Sequence, residues 1–414
     1  MTTSRLDELW INANLATLAR SGPYGAVQNG AIGWRDGVLQ FVGTMRELPE
    51  AMMRQSNRLR DAGGRWVTPG LIDCHTHAVF AGNRAEEFEQ RLAGRSYAQI
   101  AAAGGGIMRS VSLTRAAGVQ ALVRSAKPRL DALIDDGVTT LEVKSGYGLT
   151  LDAERDMLLA AGELARALPV AVQRTFLGLH ALPPEYREDR AAFVSLVICE
   201  WLPKLHALGL IDAVDAFCEH LAFSVAECAR FFAAAQALGI PRKLHAEQLS
   251  HLGGSVMAAS FGALSVDHVE YLEAAEAAAL KRAGTVAVLL PAAYVVLRET
   301  KLPPIAALRA AGVPMAVATD LNPGTSPVQS LRTAMNLACS VFGLTPEESL
   351  AGASQHAAAA LGLRDRGQLQ CGMRADLCLW NIEHPSELSY WWGGRLLCER
   401  VFEGRPDGRW SAQA

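Results

Sequence analysis

The 414-residue sequence lacks the features that mark proteins bound to nucleic acid or to membranes. Its formal net charge is only −3 and no segment is rich in lysine and arginine, so attraction to nucleic acid or to an anionic lipid surface is not expected. The uncharged apolar stretch at residues 283–297 contains Pro291 and is shorter than the roughly 20 residues that a membrane span needs. We therefore expect neither a nucleic-acid partner nor a membrane.

Disulfide motifs and targeting segments are missing as well. The eight cysteines form no CxxC pair, and in a chain of this size their scatter argues for reduced, mostly packed thiols rather than a disulfide framework. Where a signal peptide would need an apolar core, the N-terminal segment carries Arg5, Asp7 and Glu8. Together these observations predict a cytoplasmic protein.

The most informative motif that is present is the segment Val67–Gly82, VTPGLIDCHTHAVFAG. Its apolar run predicts a strand that ends near Asp73, and His75 and His77 follow two residues apart. Because side chains at i and i+2 point to the same side of a strand, both imidazoles can bind one metal ion. A histidine pair on its own is more often structural, so the metal interpretation depends on further histidines downstream.

The middle of the chain alternates between apolar runs and segments rich in alanine, leucine and glutamate. Eight apolar runs can be counted, which predicts eight parallel β/α units. Such near-continuous apolar strands favour a closed, TIM-like (β/α)8 barrel over a doubly wound open sheet, and the active site of such a barrel lies at the carboxyl ends of its strands. The runs are LIDCHTH, VTTLEVKSG, VAVQRTFLGLH, AVDAFCEH, RKLHAEQ, LSVDHVE, VAVLLPA and PMAVATD.

Helix signals lie between these runs. A capping box with proline at the first helical position, residues 345–348 (TPEE), predicts a helix after the eighth strand. The composition of the intervening segments predicts further helices over residues 152–168, 191–208, 225–238 and 273–282.

The two ends of the chain share a different, β-rich pattern. Short apolar segments are separated in the N-terminal part by turn signals such as Asn29-Gly30 and Asp36-Gly37, and similar segments return in the last fifty residues. We therefore predict a small β-sandwich-like domain, assembled from both ends of the chain, beside a catalytic barrel. The predicted boundaries are 1–68 plus 366–414 for the β domain and 69–365 for the barrel.

Polar side chains stand where several of the predicted strands end. Three neutral imidazoles and a carboxylate suit Zn²⁺ or Fe²⁺ and leave room for a water molecule. A metal lowers the pKa of its bound water toward about 7, which makes hydroxide available at neutral pH. The candidate residues are His75 and His77 after the first strand, His245 on the fifth, His268 on the sixth and Asp320 on the eighth.

The chain resembles the amidohydrolase superfamily in the identity and the order of four motifs. These are PGLIDCHTH, the fifth-strand histidine, DHVE and ATDLNPG. Within the superfamily it is most similar to the imidazolonepropionase family of histidine degradation. The resemblance covers almost the whole chain, including GQLQCGMRADL at 367–377, which looks like the return into the small β domain. The most specific stretches are HAVFAGNRAEEFEQRLAGRSYAQIAAAGGGI at 77–107, TTLEVKSGYGL at 139–149 and ATDLNPGTSP at 318–327.

The number of metal ions follows from the fourth strand together with this resemblance. Two-metal members of the fold carry a carboxylated lysine after strand four, whereas this strand ends in CEH at 218–220. Lys144 lies on strand two and is expected to form a structural ion pair, with Glu142 as its candidate partner. Zinc and iron suit the ligands equally well. The resemblance implies a single ion bound by His75, His77, His245 and Asp320.

For the reaction, the resemblance implies hydrolysis of the cyclic amide 4-imidazolone-5-propanoate to N-formimidoyl-L-glutamate. Arg84 suits the carboxylate of that substrate bidentately, although next to Glu86 and Glu87 it could instead be a surface ion-pair residue. Tyr147 and His180 resemble contacts to the ring and its carbonyl group. The other expected substrate contacts are Gln248, Asn322, Gly324 and Thr325.

The residue that accepts the proton is left open by the sequence. His268 is expected to act in the chemistry, by holding the attacking water or the carbonyl oxygen, rather than to bind metal. Gln248 falls where the family places Glu or Gln beside the substrate ring, and as an amide it is no base. The proton therefore goes to Asp320 or His268. Glu247 is a third candidate for the base. If the fifth strand continues through it, alternation turns its side chain away from His245, and if the strand ends earlier, this argument against it is lost.

Two other functions compete with this interpretation. A deaminase of the same fold would attack an amidine carbon and release ammonia, but a neutral nucleobase would not require Arg84 together with Tyr147. A catalytically inactive barrel that serves in assembly would be expected to lose metal ligands, and this chain keeps all four. A homodimer is common for this fold and is the expected oligomeric state.

Overall fold

The computed structural model describes residues 5–95, 99 and 104–407, and in this part of the chain the strands form two eight-stranded sheets. One sheet takes its strands from both ends of the chain and the other from the middle. None of the helices among the described residues has the length and apolar character needed to cross a membrane.

The sheet from the chain ends has a core of its own, in which Trp10 and Trp34 pack edge to face with their ring centroids 5.3 Å apart. Leu377 and Val401 from the C-terminal strands join the same core. The strands are β1 Glu8–Ala16, β2 Ala26–Arg35, β3 Val38–Thr44, β4 Leu59–Asp61, β5 Trp66–Pro69, β14 Leu377–Trp380, β15 Leu397–Phe402 and β16 Arg405–Pro406. Their order is β16-β15-β14-β5-β1-β2-β3, with β4 paired to β1.

Only one of the two turn signals predicted for this sheet separates strands. Asp36-Gly37 forms the β2–β3 hairpin with φ values of 51° and 73°, as a type I′ turn requires. The turn predicted at Asn29-Gly30 is wrong, because β2 runs through both residues. Asn29 has a φ of 46°, and the pairing register with β1 shifts beside it, so the left-handed residue is accommodated as a β-bulge.

The middle of the chain forms the predicted parallel barrel. All eight apolar runs are strands, and each pairs in parallel with the next run along the chain. A parallel bridge between Thr76 and Leu321 joins the segments that follow the first and last strands and closes the ring. The strands are β6 Leu71–Asp73, β7 Val138–Lys144, β8 Ala171–Leu179, β9 Ala213–Cys218, β10 Lys243–Ala246, β11 Ser265–His268, β12 Val286–Leu289 and β13 Met315–Val317.

The chain passes from one sheet to the other at Gly70, between β5 and β6. A Cβ at this position would lie 2.4 Å from the side chain of Thr139, so the close approach of the two elements requires glycine. The division into 1–68 plus 366–414 and 69–365 stays a proposal, and this crossing is the feature that supports it.

The helices connect successive strands, as the sequence predicts. Thr345 caps its helix through the amide of Glu348, whose side chain accepts from the amide of Thr345, which is the predicted capping box. The segment predicted as one helix over 191–208 contains a π-helical turn, Val197–Trp201. The helices are α1 Glu50–Gln55, α2 Ala85–Leu92, α3 Ile107–Asp135, α4 Leu151–Ala167, α5 Arg190–Leu196, α6 Leu202–Ala207, α7 Val225–Ala237, α8 Gly254–Ser260, α9 Ala277–Ala283, α10 Pro291–Leu297, α11 Ile305–Ala311, α12 Leu331–Phe342, α13 Pro346–Gly352, α14 Gln355–Ala360 and α15 Glu387–Tyr390.

Candidate metal centre and active site

Three imidazoles and a carboxylate converge at the carboxyl ends of the barrel strands. Nε2 of His77 lies 3.4 Å from Nε2 of His245. Asp320 Oδ1 lies 3.4 Å from Nε2 of His75 and 3.5 Å from Nε2 of His77. One ring nitrogen from each histidine lies within 4.8 Å of those of the other two, and all four side chains are buried. The cluster therefore has the size and the ligand types of a single metal site.

Two buried carboxylates orient these imidazoles. Asp267 Oδ2 lies 2.6 Å from Nδ1 of His75, and Asp215 Oδ2 lies 2.9 Å from Nδ1 of His245. An imidazole that donates its Nδ1 hydrogen to a carboxylate presents a lone pair on Nε2, which is the usual arrangement of a metal-binding histidine. Nε2 of His75 is buried and has no hydrogen-bond partner among the described residues, so a bound cation would satisfy it. The residues fit a metal ion.

The protonation states agree with this fit. Burial lowers the pKa of both His75 and His77 well below the ordinary value, so these imidazoles are neutral, which is the form that binds metal. Burial raises the pKa of Asp320 to about 7. A cation beside Asp320 would favour its carboxylate form and oppose this increase.

Two lysines stabilise the orienting carboxylates from inside the barrel. Lys144 Nζ lies 2.7 Å from Asp215 Oδ2 and 2.8 Å from Glu142 Oε2, so the expected ion pair with Glu142 is present. Lys243 Nζ lies 2.8 Å from the same Glu142 oxygen. Although burial opposes ionisation, Asp215 and Glu142 raise the pKa of Lys144 above its ordinary value. Despite burial, His245 and Lys144 hold the pKa of Asp215 well below its ordinary value.

Of these supporting residues, the sequence reasoning named only the Lys144–Glu142 pair and missed Asp215, Asp267 and Lys243. A detectable signal was present, because charged residues interrupt runs that otherwise read as fully buried strands, as in EVK on β7, VDAF on β9 and RKLH on β10. Lys243 stands two residues before His245 and therefore on the same side of its strand. The pattern does not show which cation meets which carboxylate across the barrel.

Replacing Lys144 by methionine is expected to destabilise the metal-free protein by about 3–5 kcal/mol, because it leaves buried carboxylates without their partner. Metal affinity should fall roughly 10- to 100-fold as well, since Asp215 would orient His245 less firmly. Urea unfolding of the metal-free protein measures the first effect and metal titration against a chelator measures the second. The matched control is Lys127→Met, which removes an exposed ion pair with Asp131 and should change stability by no more than about 1 kcal/mol. Equal effects of the two substitutions would contradict the structural role of Lys144.

Arg84, the predicted carboxylate ligand, is no free surface residue. Its Nε donates to Glu87 Oε2 at 2.8 Å, and only 16% of its side chain is exposed. A Cβ on Gly324 would lie 2.2 Å from Nη1 of Arg84, so glycine leaves room for the guanidinium beside this loop. A cavity of about 270 Å³ adjoins it, with Phe80, Arg84 and Asn322 in its lining. No hydrogen bond engages its Nη atoms among the described residues, so they are available to a ligand.

Tyr147 and His180 lie beside the metal cluster. The ring of His180 stacks on that of His77 at 5.5 Å, and the Tyr147 ring lies 5.3 Å from His180 and 5.9 Å from His77. Nδ1 of His180 is 2.8 Å from the carbonyl oxygen of Gly146, to which it donates. Burial lowers the pKa of His180 to about 4 and raises the pKa of Tyr147 above its ordinary value, so both side chains are neutral at physiological pH.

The loop after β13 is held by one of the predicted substrate contacts. Asn322 Oδ1 accepts from the amides of Gly324 at 2.8 Å and Thr325 at 2.7 Å, and its Nδ2 donates to the carbonyl of Asp320 at 2.8 Å. The Thr325 hydroxyl is 3.0 Å from Asn322 Nδ2. The side chain of Asn322 therefore organises the loop beside Asp320, and its contact with a substrate stays a proposal.

The geometry also distinguishes the candidates for the base. β10 ends at Ala246, and Glu247 has a φ of 52°, so the strand does not continue through it. Its carboxylate accepts from the amides of Gly254 at 2.8 Å and Ser255 at 2.9 Å at the start of α8. The Glu247 carboxylate is thus bound to backbone amides, whereas the ring of His268 lies beside the metal cluster, 5.5 Å from the ring of His245.

Gln248 is buried, and no hydrogen bond to its side chain is present in the described part of the chain. The amide is thus not committed to another element and remains available to a ligand, as the sequence prediction requires. Its contact with a substrate stays a proposal.

Comparison with known proteins identifies the family of the chain. The amidohydrolase family matches residues 66–405. An imidazolonepropionase from Pseudomonas putida (strain GB-1) is 55% identical over 397 residues, which cover 96% of this chain and 98% of that protein. An imidazolonepropionase from Ralstonia nicotianae is 53% identical over 408 residues, which cover 98% of this chain and 100% of that protein.

Solved structures of lower identity share the fold. An adenosine deaminase from Xanthomonas campestris with bound zinc aligns with a TM-score of 0.70 and 17% identity, over 97% of this chain and 93% of that one. An atrazine chlorohydrolase from Arthrobacter aurescens complexed with zinc aligns with a TM-score of 0.65 and 16% identity, over 96% and 94%. From the family match and the relatives that are more than half identical over nearly their full length, the chain belongs to the amidohydrolase family and, within it, to the imidazolonepropionase family.

Proposed function

We propose that this chain hydrolyses 4-imidazolone-5-propanoate to N-formimidoyl-L-glutamate, a step of histidine degradation. The observation that carries the proposal is a buried cluster of three imidazoles and a carboxylate, in a chain 55% identical to an imidazolonepropionase. In the reaction, water adds to the ring carbonyl carbon and the bond from that carbon to the ring nitrogen breaks. The nitrogen takes up a proton, and the former carbonyl carbon becomes a carboxylate.

We further infer one divalent cation per chain, zinc or iron, held by His75, His77, His245 and Asp320. When bound, it would supply Lewis acidity toward water and the ring carbonyl group. The residues of the chain orient the metal ligands, exclude water and transfer the proton. Asp267 and Asp215 keep the imidazoles in the tautomer that binds metal, and the closed barrel excludes bulk water from the buried cluster. Asp320 or His268 carries the proton from water to the departing nitrogen.

The substrate would be held between the metal cluster and the rim loops. Arg84 binds the propanoate carboxylate through its Nη atoms, which match a carboxylate bidentately. Tyr147, His180 and Gln248 contact the ring and its carbonyl group. The loop that contains Asn322, Gly324 and Thr325 closes the same side of the site. A homodimer and a cytoplasmic location complete the proposal.

The direct test is the loss of imidazolone ultraviolet absorbance when substrate is mixed with protein whose metal content is measured in the same sample. Turnover that depends on about one metal per chain supports the proposal. Release of ammonia without ring opening would replace it with a deaminase. Absence of turnover in metal-loaded protein would refute it.

Replacing Arg84 by alanine is expected to lower kcat/KM roughly 10- to 100-fold with the metal retained, because a charge-assisted hydrogen bond contributes about 1.5–3 kcal/mol. Arg84→Lys should recover only part of this loss, since an ammonium lacks the bidentate geometry. Steady-state kinetics on the propanoate substrate measure both values.

The control for this prediction is on the ligand side. An imidazolone without the carboxylate should be a poor substrate for the wild type, and the Arg84→Ala variant should discriminate far less between the two compounds. If both proteins prefer the propanoate by the same factor, Arg84 only pairs with Glu87 and another residue binds the carboxylate.

A further inference from the structure

His268 and Glu270 form a buried pair whose nearest polar atoms have no other partner. Nδ1 of His268 lies 4.0 Å from Oε2 of Glu270, and the two side chains are only 3% and 1% exposed. Neither atom makes a hydrogen bond to any described residue. A buried polar atom without a partner is costly. A separation of 4.0 Å is longer than a hydrogen bond, so the two atoms are neighbours that would have to approach by about 1 Å to form one.

The other histidines of the rim show what this interaction would do. In His75 and His180, Nδ1 is hydrogen-bonded to an oxygen at 2.6 and 2.8 Å, and that partner selects the tautomer of the ring. Nδ1 of His245 lies 2.9 Å from Asp215 Oδ2. His77 and His268 have neither a hydrogen bond at Nδ1 nor, among the described residues, an oxygen as close as that of His245. Of these two, only His268 has a carboxyl group within 4.0 Å of Nδ1 among the described residues.

The backbone between the two side chains is strained. His268 has a φ of 87° and Val269 a φ of 63°, a region that β-branched residues rarely adopt. The Val269 amide donates to the carbonyl oxygen of Ala246 at 3.2 Å, which anchors this turn to the neighbouring strand. Backbone strain of this kind persists where the surrounding structure imposes it, and it is concentrated at functional sites.

The surroundings of Glu270 decide which partner donates. Burial, together with the nearby acids Glu299, Asp320 and Glu219, raises the pKa of Glu270 well above its ordinary value. In the described part of the chain no lysine or arginine forms an ion pair with it. A protonated carboxyl group can donate its O–H to Nδ1, which leaves the hydrogen of a neutral imidazole on Nε2.

We propose that Glu270 is a positioning residue that hydrogen-bonds to Nδ1 of His268 and holds the ring in the tautomer with hydrogen on Nε2. In that state His268 can donate to the substrate carbonyl oxygen as negative charge develops there. This role rests on the hydrolysis proposed above, because it assigns the work that His268 does in that reaction.

The test uses Glu270→Leu and Glu270→Gln in the zinc-loaded protein. The leucine variant is expected to lose roughly 10- to 100-fold in kcat, with KM changed only a few-fold and the metal retained. Glutamine can still hydrogen-bond to Nδ1 and should restore most of the turnover. The control is Glu399→Gln, which alters a buried carboxyl group of the chain-end sheet that is paired with Arg60 and should leave kcat unchanged.

A second measurement separates this inference from the proposed function. The ¹⁵N NMR shifts of the His268 ring, assigned by their loss in His268→Asn, should report one Nε2–H tautomer in the wild type and a mixture in Glu270→Leu. An unchanged tautomer together with wild-type kcat in Glu270→Leu would overturn the positioning role. If the wild type fails to open the imidazolone ring, the proposed function fails, and the ring shifts still report whether Glu270 sets the tautomer.

Discussion

Replacing His75 and His77 together by alanine is expected to abolish metal binding and hydrolysis while the barrel stays folded. The Nε2 atoms of both rings lie within 3.5 Å of Asp320, so the double change removes half of the proposed ligands. A site reduced to one imidazole and one carboxylate no longer offers the three or four protein ligands that catalytic zinc sites use. Elemental analysis measures the metal, and loss of imidazolone absorbance measures the hydrolysis.

The fold should survive this change because the partner of His75 keeps other bonds. Asp267 still accepts from the Ser265 hydroxyl at 2.5 Å and lies 3.7 Å from Lys144 Nζ. Circular dichroism should therefore remain close to that of the wild type. A matched control is His206→Ala, an exposed histidine on α6, which should keep one metal per chain and full activity. Stoichiometric metal in the double variant would refute the ligand assignment, and two tightly held ions in the wild type would refute the single-metal proposal.

The barrel could be predicted from the sequence because each of its strands is a local signal. An apolar run such as residues 286–289 is buried on both faces, so it reads as a parallel strand without knowledge of its neighbours. Turns are less certain, since Asn29-Gly30 and Asp36-Gly37 carry the same local signal. Only the second is a hairpin, because the pairing of β2 with β1 continues through the first as a bulge. That choice depends on a partner strand and not on the dipeptide.

In the candidate site, too, some residues could be predicted from local sequence signals and others could not. The proposed ligands could be predicted because the carboxyl ends of parallel strands meet at one rim, so His75 and His245 are brought together by topology alone. The residues that orient them could not be assigned, because the Lys144–Asp215 and Lys243–Glu142 pairs join strands distant in the chain.

Glu247 is a residue whose role could not be decided from the sequence, although its residue type suggested one. Its residue type suits a base, and only the end of β10 at Ala246 together with the start of α8 reveals that its carboxylate is bound to backbone amides. From the sequence, the orientation of Glu247 depends on whether the fifth strand continues through it. The backbone after Ala246 decides this, because the strand ends there.

Replacing His268 by alanine is expected to lower kcat by about 10²- to 10⁴-fold while leaving the metal bound, because the residue acts on the reacting groups and not on the ion. Its ring lies 5.8 Å from that of His75 and 5.5 Å from that of His245, close to the cluster yet outside the four proposed ligands. Elemental analysis and steady-state kinetics on one preparation measure both quantities. A variant that loses its metal would instead make His268 a ligand.

A second substitution at this position separates donation to the carbonyl oxygen from proton transfer. Glutamine can donate a hydrogen bond but does not accept and release protons near neutral pH. If His268 acts as a donor, His268→Gln should recover a substantial part of the turnover lost in His268→Ala, and Asp320 carries the proton. If His268 carries the proton, the glutamine and alanine variants should be equally slow. Because Glu270 acts only through the Nδ1 side of this ring, Glu270→Leu should cause little further loss in a protein that already carries His268→Ala. Additive losses in the double variant would separate the two residues and leave His268 without its proposed partner.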